Sequence, residues 1–174
     1  MVIRPIIRQD KDKILPILKQ RGTFNEKEIH VALEVIDEGL RVPGGNDYHI
    51  FCACEDSGQL VGYVCFGPIP MTDYCYDLYW IAVDERASRR GVGESLLRFM
   101  EKSAVKKGAK KIYVETSSTP LYEAARSFYK KHGYDVVSML TDFYRDGDHK
   151  MVFMKNISVG APLRADIAYA AGPP

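Results

Sequence analysis

The stretch from Asp77 to Arg98 constrains the fold more than any other part of the chain. Its letters, DLYWIAVDERASRRGVGESLLR, predict an apolar strand, a basic turn with two glycines, and the start of a helix. A helix N-terminus presents unpaired N–H groups and the positive end of the helix dipole, which together favour an anion. Gly91 and Gly93 allow the backbone to approach a phosphate closely. Taken alone, the stretch is compatible both with a phosphate site and with a tight turn that carries two surface arginines.

Two well-known phosphate-binding turns do not fit this stretch. A dinucleotide-binding turn has the spacing G-x-G-x-x-G and lies in an opening strand–helix–strand unit, whereas this turn lies in mid-chain after a predicted hairpin and has a different spacing. A P-loop requires Gly-Lys followed by Ser or Thr, and no such triplet follows the turn. The stretch therefore predicts an anion site of another kind.

The remaining sequence predicts a mixed α/β fold. Apolar periodicity and turn signals give the element order β-α-α-β-β-β-α-β-α-β-β over residues 1–156. Such an order favours a single domain with a mixed, mostly antiparallel sheet flanked by helices. Residues 157–174 are rich in Ala, Gly and Pro and are expected to form a C-terminal tail.

Local signals fix some element ends. Asn25, with Glu28 three residues later, predicts a capping box at the start of the second helix, and Gly39 is expected to end that helix. The letters DSGQ at 56–59 predict a hairpin turn between two strands. A polar loop is expected over Thr141–His149, between the last two strands.

Composition and charge argue against several classes of function. The chain has 174 residues and a formal net charge of +1, which gives no reason to expect nucleic acid or an anionic membrane as a partner. No apolar run approaches the length of a membrane span, and the start of the chain lacks a signal-peptide pattern, so a cytoplasmic location is expected. The four cysteines and four histidines lack the spacing of a metal site, so no metal is expected.

Two segments resemble the GNAT superfamily of N-acetyltransferases. The letters YWIAVDERASRRGVGESLL at 79–97 resemble the family's acetyl-CoA motif, Q/R-x-x-G-x-G/A after a strand that ends in apolar-Ala-Val-Asp. The letters YEAARSFYKKHGY at 122–134 are similar to its later helix, N-x-x-A-x-x-F-Y-x-x-x-G-F/Y. The two motifs occur in the family's order, separated by one strand. The resemblance, which extends over residues 1–156, implies the acyl-CoA N-acyltransferase fold and acetyl-CoA as the co-substrate.

The resemblance also implies which residues bind the coenzyme. They come from the end of the strand, the turn and the later helix: Ile81, Ala82, Val83, Ser88, Arg89, Arg90, Gly91, Val92, Gly93, Glu94, Tyr122, Ala125, Phe128 and Tyr129. A backbone N–H in the Ile81–Val83 segment is the expected donor to the oxyanion.

Three positions depart from the family's pattern. Ser88 stands where Gln or Arg is usual, and Arg89 stands where glycine is common. Because backbone N–H groups do most of the phosphate binding, we expect both changes to be tolerated. Tyr122 replaces the usual Asn that contacts the pantetheine arm, so that contact is in question.

Catalytic roles follow from the same resemblance. Tyr129 matches the family's general acid, which protonates the leaving thiolate. Asp77 lies six residues before Val83 on the same strand, where many relatives carry a glutamate general base. The ordinary pKa of Asp, about 3.9, is too low for a good base. Asp77 therefore requires burial, which would raise its pKa, or acts through a water. Glu115, on the next strand, is the alternative base.

The acceptor side has weaker signals. Tyr74, Tyr76 and Tyr144 are expected to line an acceptor pocket, because aromatic faces can hold a cation. For the segment around Tyr144, DFYRDGDH, the favoured interpretation is an ordinary polar hairpin loop. The loop from Gly22 to Asn25 is a second candidate wall.

The resulting hypothesis is an N-acetyltransferase that moves an acetyl group from acetyl-CoA to a primary amine of a small molecule or amino acid, by direct attack in a ternary complex. One alternative keeps the chemistry and makes the acceptor a protein N-terminus or a lysine side chain. Another is a non-catalytic acyl-CoA-binding sensor. A homodimer is a further expectation that the sequence leaves open.

Overall fold

The computed structural model describes residues 1–42, 45 and 47–157, with only the backbone of Arg21. The helices are α1 (Lys11–Lys19), α2 (Glu26–Arg41), α3 (Val92–Lys106) and α4 (Glu123–Lys131). The strands are β1 (Val2–Pro5), β2 (His49–Cys54), β3 (Leu60–Pro68), β4 (Cys75–Val83), β5 (Lys111–Ser117), β6 (Asp135–Arg145) and β7 (Asp148–Asn156). The predicted fold class is confirmed, and these helices and strands follow the predicted order. The expected tail lies outside the described residues, except for Ile157.

One sheet of seven strands has the order β1-β2-β3-β4-β5-β7-β6. All neighbouring strands are antiparallel except β4 and β5, which run parallel. The parallel pairing is short, because it ends where Asp77 faces Tyr113. Beyond these residues, 78–83 remain paired with β3 and 114–117 with β7, but not with each other. The sheet therefore opens into a cleft between β4 and β5.

A β-bulge lies where the cleft begins. Cys65 of β3 faces Trp80, whereas Phe66 faces Leu78, so Tyr79 is the extra residue on β4. A bulge bends its strand and increases the local twist. The bend turns the end of β4 away from β5 and helps to open the cleft.

Each face of the sheet is covered by two helices. On one face, α3 and α4 pack on a core that includes Leu96, Met100 and Tyr129. On the other, α1 and α2 bury a second apolar cluster that includes Ile14 and Ile36. Residues alternate between the two faces along each strand, so a cleft in the sheet connects both sides.

The start of α2 agrees with prediction and its end does not. The Asn25 side chain accepts a hydrogen bond from the Glu28 N–H at 3.0 Å, and the Glu28 carboxylate accepts one from the Asn25 N–H at 2.7 Å. The helix then continues past Gly39 to Arg41. A Cβ at Gly39 would lie 2.7 Å from Cδ1 of Ile50, so this glycine allows close packing on β2 and does not end the helix.

The predicted loop over Thr141–His149 was wrong. Strand β6 runs to Arg145 and β7 begins at Asp148, so most of that segment is a β-hairpin. Gly147 adopts a φ of 74°, which suits a tight turn. The Asp142 carboxylate accepts a hydrogen bond from the Gly147 N–H at 2.8 Å. Polar side chains made the segment resemble a loop, although they lie on an exposed hairpin.

β6 is an edge strand with a row of exposed apolar side chains. These are Val136, Val137, Met139, Leu140, Phe143 and Tyr144. Unpaired edge strands are templates for association with another chain. The expected homodimer stays a prediction. Within the described chain, no helix is both long and apolar enough to cross a membrane.

Candidate active site

The cleft between β4 and β5 contains a cavity of about 240 Å³. Its walls come from the open parts of both strands, the α1–α2 connection, the turn after β4 and the start of α4. The lining residues are Ile17, Gln20, Thr23, Phe24, Leu78, Tyr79, Trp80, Ile81, Ala82, Val83, Glu85, Ser88, Val114, Glu115, Thr116, Tyr122, Ala125 and Tyr129. The cavity therefore has access to groups from both faces of the sheet.

The turn before α3 has the geometry of an anion site. Arg89 and Gly91 both have positive φ, 63° and 78°, which turns the chain sharply before the helix begins at Val92. Ser95 is the first residue of this helix whose N–H is bonded, to the Gly91 carbonyl at 2.9 Å. In the described chain, no acceptor takes the N–H groups of residues 89 and 91–94. These five donors, with the helix dipole, suit a phosphate or pyrophosphate.

Two of the three arginines near this turn are already paired. Arg86 forms an ion pair with Asp84 at 2.6 Å, and Arg90 forms one with Glu55 at 2.8 Å. Arg89 is exposed and has no ion pair with a described residue. Its guanidinium is therefore available to a bound anion.

Gly93 brings α3 close to its neighbours. A Cβ on Gly93 would contact Val83 at 3.6 Å and Phe128 at 3.7 Å. The side chain of Val92 is buried in the core behind the turn, so only its backbone N–H faces the candidate anion site. The ring of Phe128 packs against Tyr129 and His132.

Tyr129 lies on α4 with its ring in the cavity wall. The residue is 7% exposed, and its hydroxyl has no hydrogen-bond partner among the described residues. Burial raises the pKa of this phenol above its ordinary value. Ala125, one turn earlier, lines the same cavity and leaves space beside the ring. The hydroxyl is thus a protonated donor that has no partner among the residues the structure describes.

Asp77 lies at the base of the cleft, where β4 and β5 are last paired. It does not line the cavity, whereas Glu115 does. Burial and the nearby Glu115 carboxylate raise the pKa of Asp77 to about 6, while Lys150 acts in the opposite direction. Lys150 forms an ion pair with Glu115 at 2.6 Å. The structure therefore places two carboxylates close to each other on the α1–α2 face.

The sequence of residues 14–134 matches the family described as "Acetyltransferase (GNAT) family". The chain belongs to the GNAT family of acetyltransferases. A GNAT-family protein from Desulfovibrio desulfuricans is 34% identical with a TM-score of 0.83, over 90% of this chain and 99% of that one. No curated relative matches the chain significantly.

More distant GNAT-like structures share the fold. An aminoglycoside 6'-N-acetyltransferase complexed with coenzyme A is 19% identical with a TM-score of 0.71, over 91% of this chain and 98% of that one. The ribosomal-protein-S18-alanine N-acetyltransferase from Escherichia coli is 17% identical with a TM-score of 0.72, over 92% of this chain and 96% of that one. At these identities the likeness supports the fold alone.

Tyr122 differs from the side chain that the GNAT motif has at this position. Its hydroxyl donates a hydrogen bond to the Thr23 carbonyl at 2.7 Å and lies 3.2 Å from a Glu28 carboxylate oxygen. Burial and the Glu28 carboxylate raise the pKa of Tyr122. The hydroxyl therefore connects α4 to the α1–α2 connection, while the residue lines the cavity.

The three tyrosines expected at the acceptor pocket do not come together. Tyr76 is buried in the core, and its hydroxyl donates to the Lys107 carbonyl at 3.5 Å. Tyr74 lies beside Lys110, just before the parallel ends of β4 and β5. Both precede the cleft, so their placement does not support an acceptor role. Tyr144 lies on β6, is 48% exposed and does not line the cavity. Burial raises its pKa, and the Glu115, Asp148 and Glu28 carboxylates add to the effect.

Some cavity residues were expected from the sequence and others were not. Thr23 and Phe24 belong to the loop expected as a second wall, and both line the cavity. Thr116 and Tyr79 were not expected there, because the cleft and the bulge that position them depend on strand register. Among the residues that the structure describes, no group of three or more His, Cys, Asp or Glu residues could hold a metal ion.

Proposed function

We propose that this GNAT protein transfers an acetyl group from acetyl-CoA to a primary amine of a small molecule or amino acid, by direct attack in a ternary complex. The observation that carries the proposal is the cavity in the cleft. It joins a partnerless tyrosine hydroxyl on the α4 side to the Glu115 carboxylate on the α1–α2 side. Acid and base candidates thus lie on opposite sides of one opening, as acyl transfer to an amine requires.

The turn before α3 fits the coenzyme's pyrophosphate. Its five unbonded N–H groups, at residues 89 and 91–94, require acceptors, and phosphate oxygens supply them. Arg89 adds an unpaired positive charge at the same turn. Acetyl-CoA, when bound, supplies the activated acetyl thioester.

The cleft offers donors to the developing oxyanion. Past Asp77, one edge of β4 remains paired with β3, while the other edge has no partner strand within the described residues. Alternate backbone groups of an antiparallel strand point to opposite neighbours, so some N–H groups of 78–83 face the cleft. We assign the oxyanion donor to a backbone N–H in the Ile81–Val83 segment.

Tyr129 serves as the general acid in this account. Because burial raises its pKa, the phenol keeps its proton at neutral pH. Its hydroxyl has no acceptor in the described part of the chain, and the residue lines the cavity. It is therefore free to hold a proton toward the leaving sulfur and to transfer it as the thiolate forms.

Asp77 serves as the general base. With a pKa near 6, the carboxylate is mostly ionised at neutral pH and is still basic enough to accept a proton. Since Asp77 does not line the cavity, the proton reaches it through a bridging water. Glu115, in the cavity wall, is the alternative base, and the incoming ammonium competes with Lys150 for its carboxylate.

The charge on the acceptor side favours a cationic amine. The Glu115 carboxylate lines the cavity, the Glu28 carboxylate lies 3.2 Å from the Tyr122 hydroxyl in the cavity wall, and Asp77 lies at the base of the cleft. The Tyr122–Thr23 hydrogen bond narrows the entrance between α4 and the α1–α2 connection. A narrow acidic entrance suits a small amine with additional positive charge better than a folded protein surface.

The test is an acceptor screen that measures free thiol released from acetyl-CoA. Its arms are diamines, amino acids, an aminoglycoside and a peptide with N-terminal alanine. We expect amine-dependent release with small cations, reduced by Glu115→Gln and unchanged by the matched control Tyr74→Phe, which lies outside the cavity. Turnover of the peptide alone would contradict the acceptor class. Coenzyme binding without turnover on any amine would point to a sensor.

A further inference from the structure

We propose that Thr116 positions the coenzyme: its hydroxyl forms a hydrogen bond with an amide of the pantetheine arm. The inference rests on the proposed function, because it requires the arm to enter the cleft. Nothing in the sequence motifs assigns a role to Thr116. In the structure, its hydroxyl is one of two described side-chain hydroxyls that are buried without a hydrogen-bond partner.

The hydroxyl of Thr116 is buried and has no hydrogen-bond partner in the described protein. The residue is 6% exposed and lines the cavity. Buried hydroxyl groups are nearly always paired, because leaving one unpaired destabilises the folded state. Because the residue borders the cavity, a ligand bound there can complete the hydrogen bonding of this hydroxyl once its side chain turns.

Tyr63 also has a buried hydroxyl without a partner in the described chain, but it lies elsewhere in the fold. Among the described side chains, only the hydroxyls of Tyr63 and Thr116 are buried without a partner. Tyr63 is 1% exposed, packs in the cluster beneath α1 and α2, and does not line the cavity. Both hydroxyls thus lack a partner among the described residues, but only Thr116 is a residue of the cavity wall, where a ligand can supply one.

The placement of Thr116 suits the coenzyme side of the cleft. It lies beyond Tyr113 on β5, where pairing with β4 has ended, and its backbone position is held by pairing with Met151 of β7. Alternation along β5 puts it on the same face as Val114, the face covered by α4. Rotation about χ1 moves the hydroxyl around Cβ, so that it can meet an amide group in the cavity.

Tyr122 gives a reason why this contact is needed here. The GNAT motif has an asparagine at that position, and its side-chain amide contacts the pantetheine arm. In this chain the Tyr122 hydroxyl is instead bonded to the Thr23 carbonyl. Thr116, which faces the same cavity from β5, supplies a side-chain hydrogen bond in place of the one that is lost.

Calorimetric titration with coenzyme A alone tests the assignment, using Thr116→Val, Thr116→Ser and the matched control Tyr63→Phe. Valine keeps the shape and removes the hydroxyl, so we expect the Kd for coenzyme A to rise about tenfold. Serine keeps the hydroxyl and should bind within about twofold of the unmodified protein. Tyr63→Phe removes the other unpaired hydroxyl and should leave the Kd unchanged.

Thermal melts give a second readout that does not depend on activity. Without ligand, Thr116→Val and Tyr63→Phe each remove an unpaired buried hydroxyl, so each should raise the Tm by about 2–4 °C. With coenzyme A, the ligand-induced rise in Tm should be smaller in Thr116→Val and normal in Tyr63→Phe.

Equal coenzyme affinity in Thr116→Val and the unmodified protein would overturn the inference and leave the proposed function standing. So would a Thr116→Val variant that melts lower without ligand, or one whose only defect is a higher KM for the amine. Failure of the unmodified protein to bind coenzyme A would overturn the proposed function itself.

Discussion

The Tyr122 hydroxyl donates a hydrogen bond to the backbone carbonyl of Thr23 across a distance of 2.7 Å. These residues are far apart in the chain, and their contact connects the start of α4 to the α1–α2 connection. Both residues line the cavity between β4 and β5. The bond therefore fixes the relative position of two walls, and the position of the acceptor side depends on it.

Tyr122→Phe keeps the ring and removes this bond. We expect the KM for the amine to rise about 3- to 10-fold, because one net hydrogen bond that orders the acceptor wall is lost. The Kd for coenzyme A should stay within about twofold. Steady-state kinetics and calorimetry separate the two quantities. A large loss of coenzyme affinity would instead mean that Tyr122 contacts the pantetheine arm.

The pH dependence of the rate reports the proposed base. Asp77 must be ionised to accept a proton, and its pKa is about 6, so kcat/KM should rise with pH through an inflection near 6. Glu115→Gln removes the carboxylate that helps to raise this pKa, so the inflection should move to lower pH. An inflection that disappears in Glu115→Gln, yet persists in Asp77→Asn, would identify Glu115 as the base.

Asp77 should also make stability depend on pH. Its pKa is raised from 3.8 in the reference state to about 6 in the folded state. Between these values the folded protein binds more protons than the unfolded chain, so stability falls as pH rises through that window and stays lower above it. Asp77→Asn should therefore raise the free energy of unfolding by about 1–2 kcal/mol at pH 8, with little gain near pH 4.

Melts of both proteins from pH 4 to 8 measure this difference. Tyr74→Phe, just before β4 and outside the cleft, controls for nonspecific effects of substitution. A gain from Asp77→Asn that is the same at both ends of the pH range would mean that the carboxylate is not perturbed.

Arg89 stands where the family motif often has glycine, and its backbone conformation is one that favours glycine. Its φ of 63° is a conformation that glycine adopts freely and that costs other residues about 1–2 kcal/mol. Because glycine also increases the entropy of the unfolded chain, Arg89→Gly should raise the free energy of unfolding by about 0.5–1 kcal/mol. Arg89→Ala keeps the strain and should give no gain. Denaturant unfolding distinguishes the two variants, and equal stability of both would contradict the strain argument.

The sequence was sufficient to predict the order of the helices and strands, because most of them have a strong local signal. The capping box at Asn25 and Glu28 appears as predicted, since both bonds form within four residues. Gly39 and the β6–β7 hairpin were misassigned because packing and strand pairing determine them. Gly39 packs closely against Ile50, and Leu140 pairs with Lys150. Both contacts join residues far apart in the chain, so local sequence patterns do not predict them.

The candidate site divides along the same line. Arg89, Gly91 and Tyr129 lie in motifs, so their placement at a turn and in a helix beside the strand could be expected. The parallel pairing ends at Asp77, and a bulge at Tyr79 helps to open the cleft. No sequence pattern predicts either feature. For that reason Tyr74 and Tyr76 were expected at the acceptor pocket, although they lie before the cleft begins.

The central claim is that acetyl transfer takes place in the cleft with Tyr129 as the acid. Tyr129→Phe, measured for amine-dependent thiol release and for coenzyme A binding in the same preparation, tests it most directly. We expect kcat to fall by about 10²- to 10⁴-fold and the Kd for coenzyme A to stay nearly unchanged, because only a proton donor is removed. Turnover equal to that of the unmodified protein would contradict it.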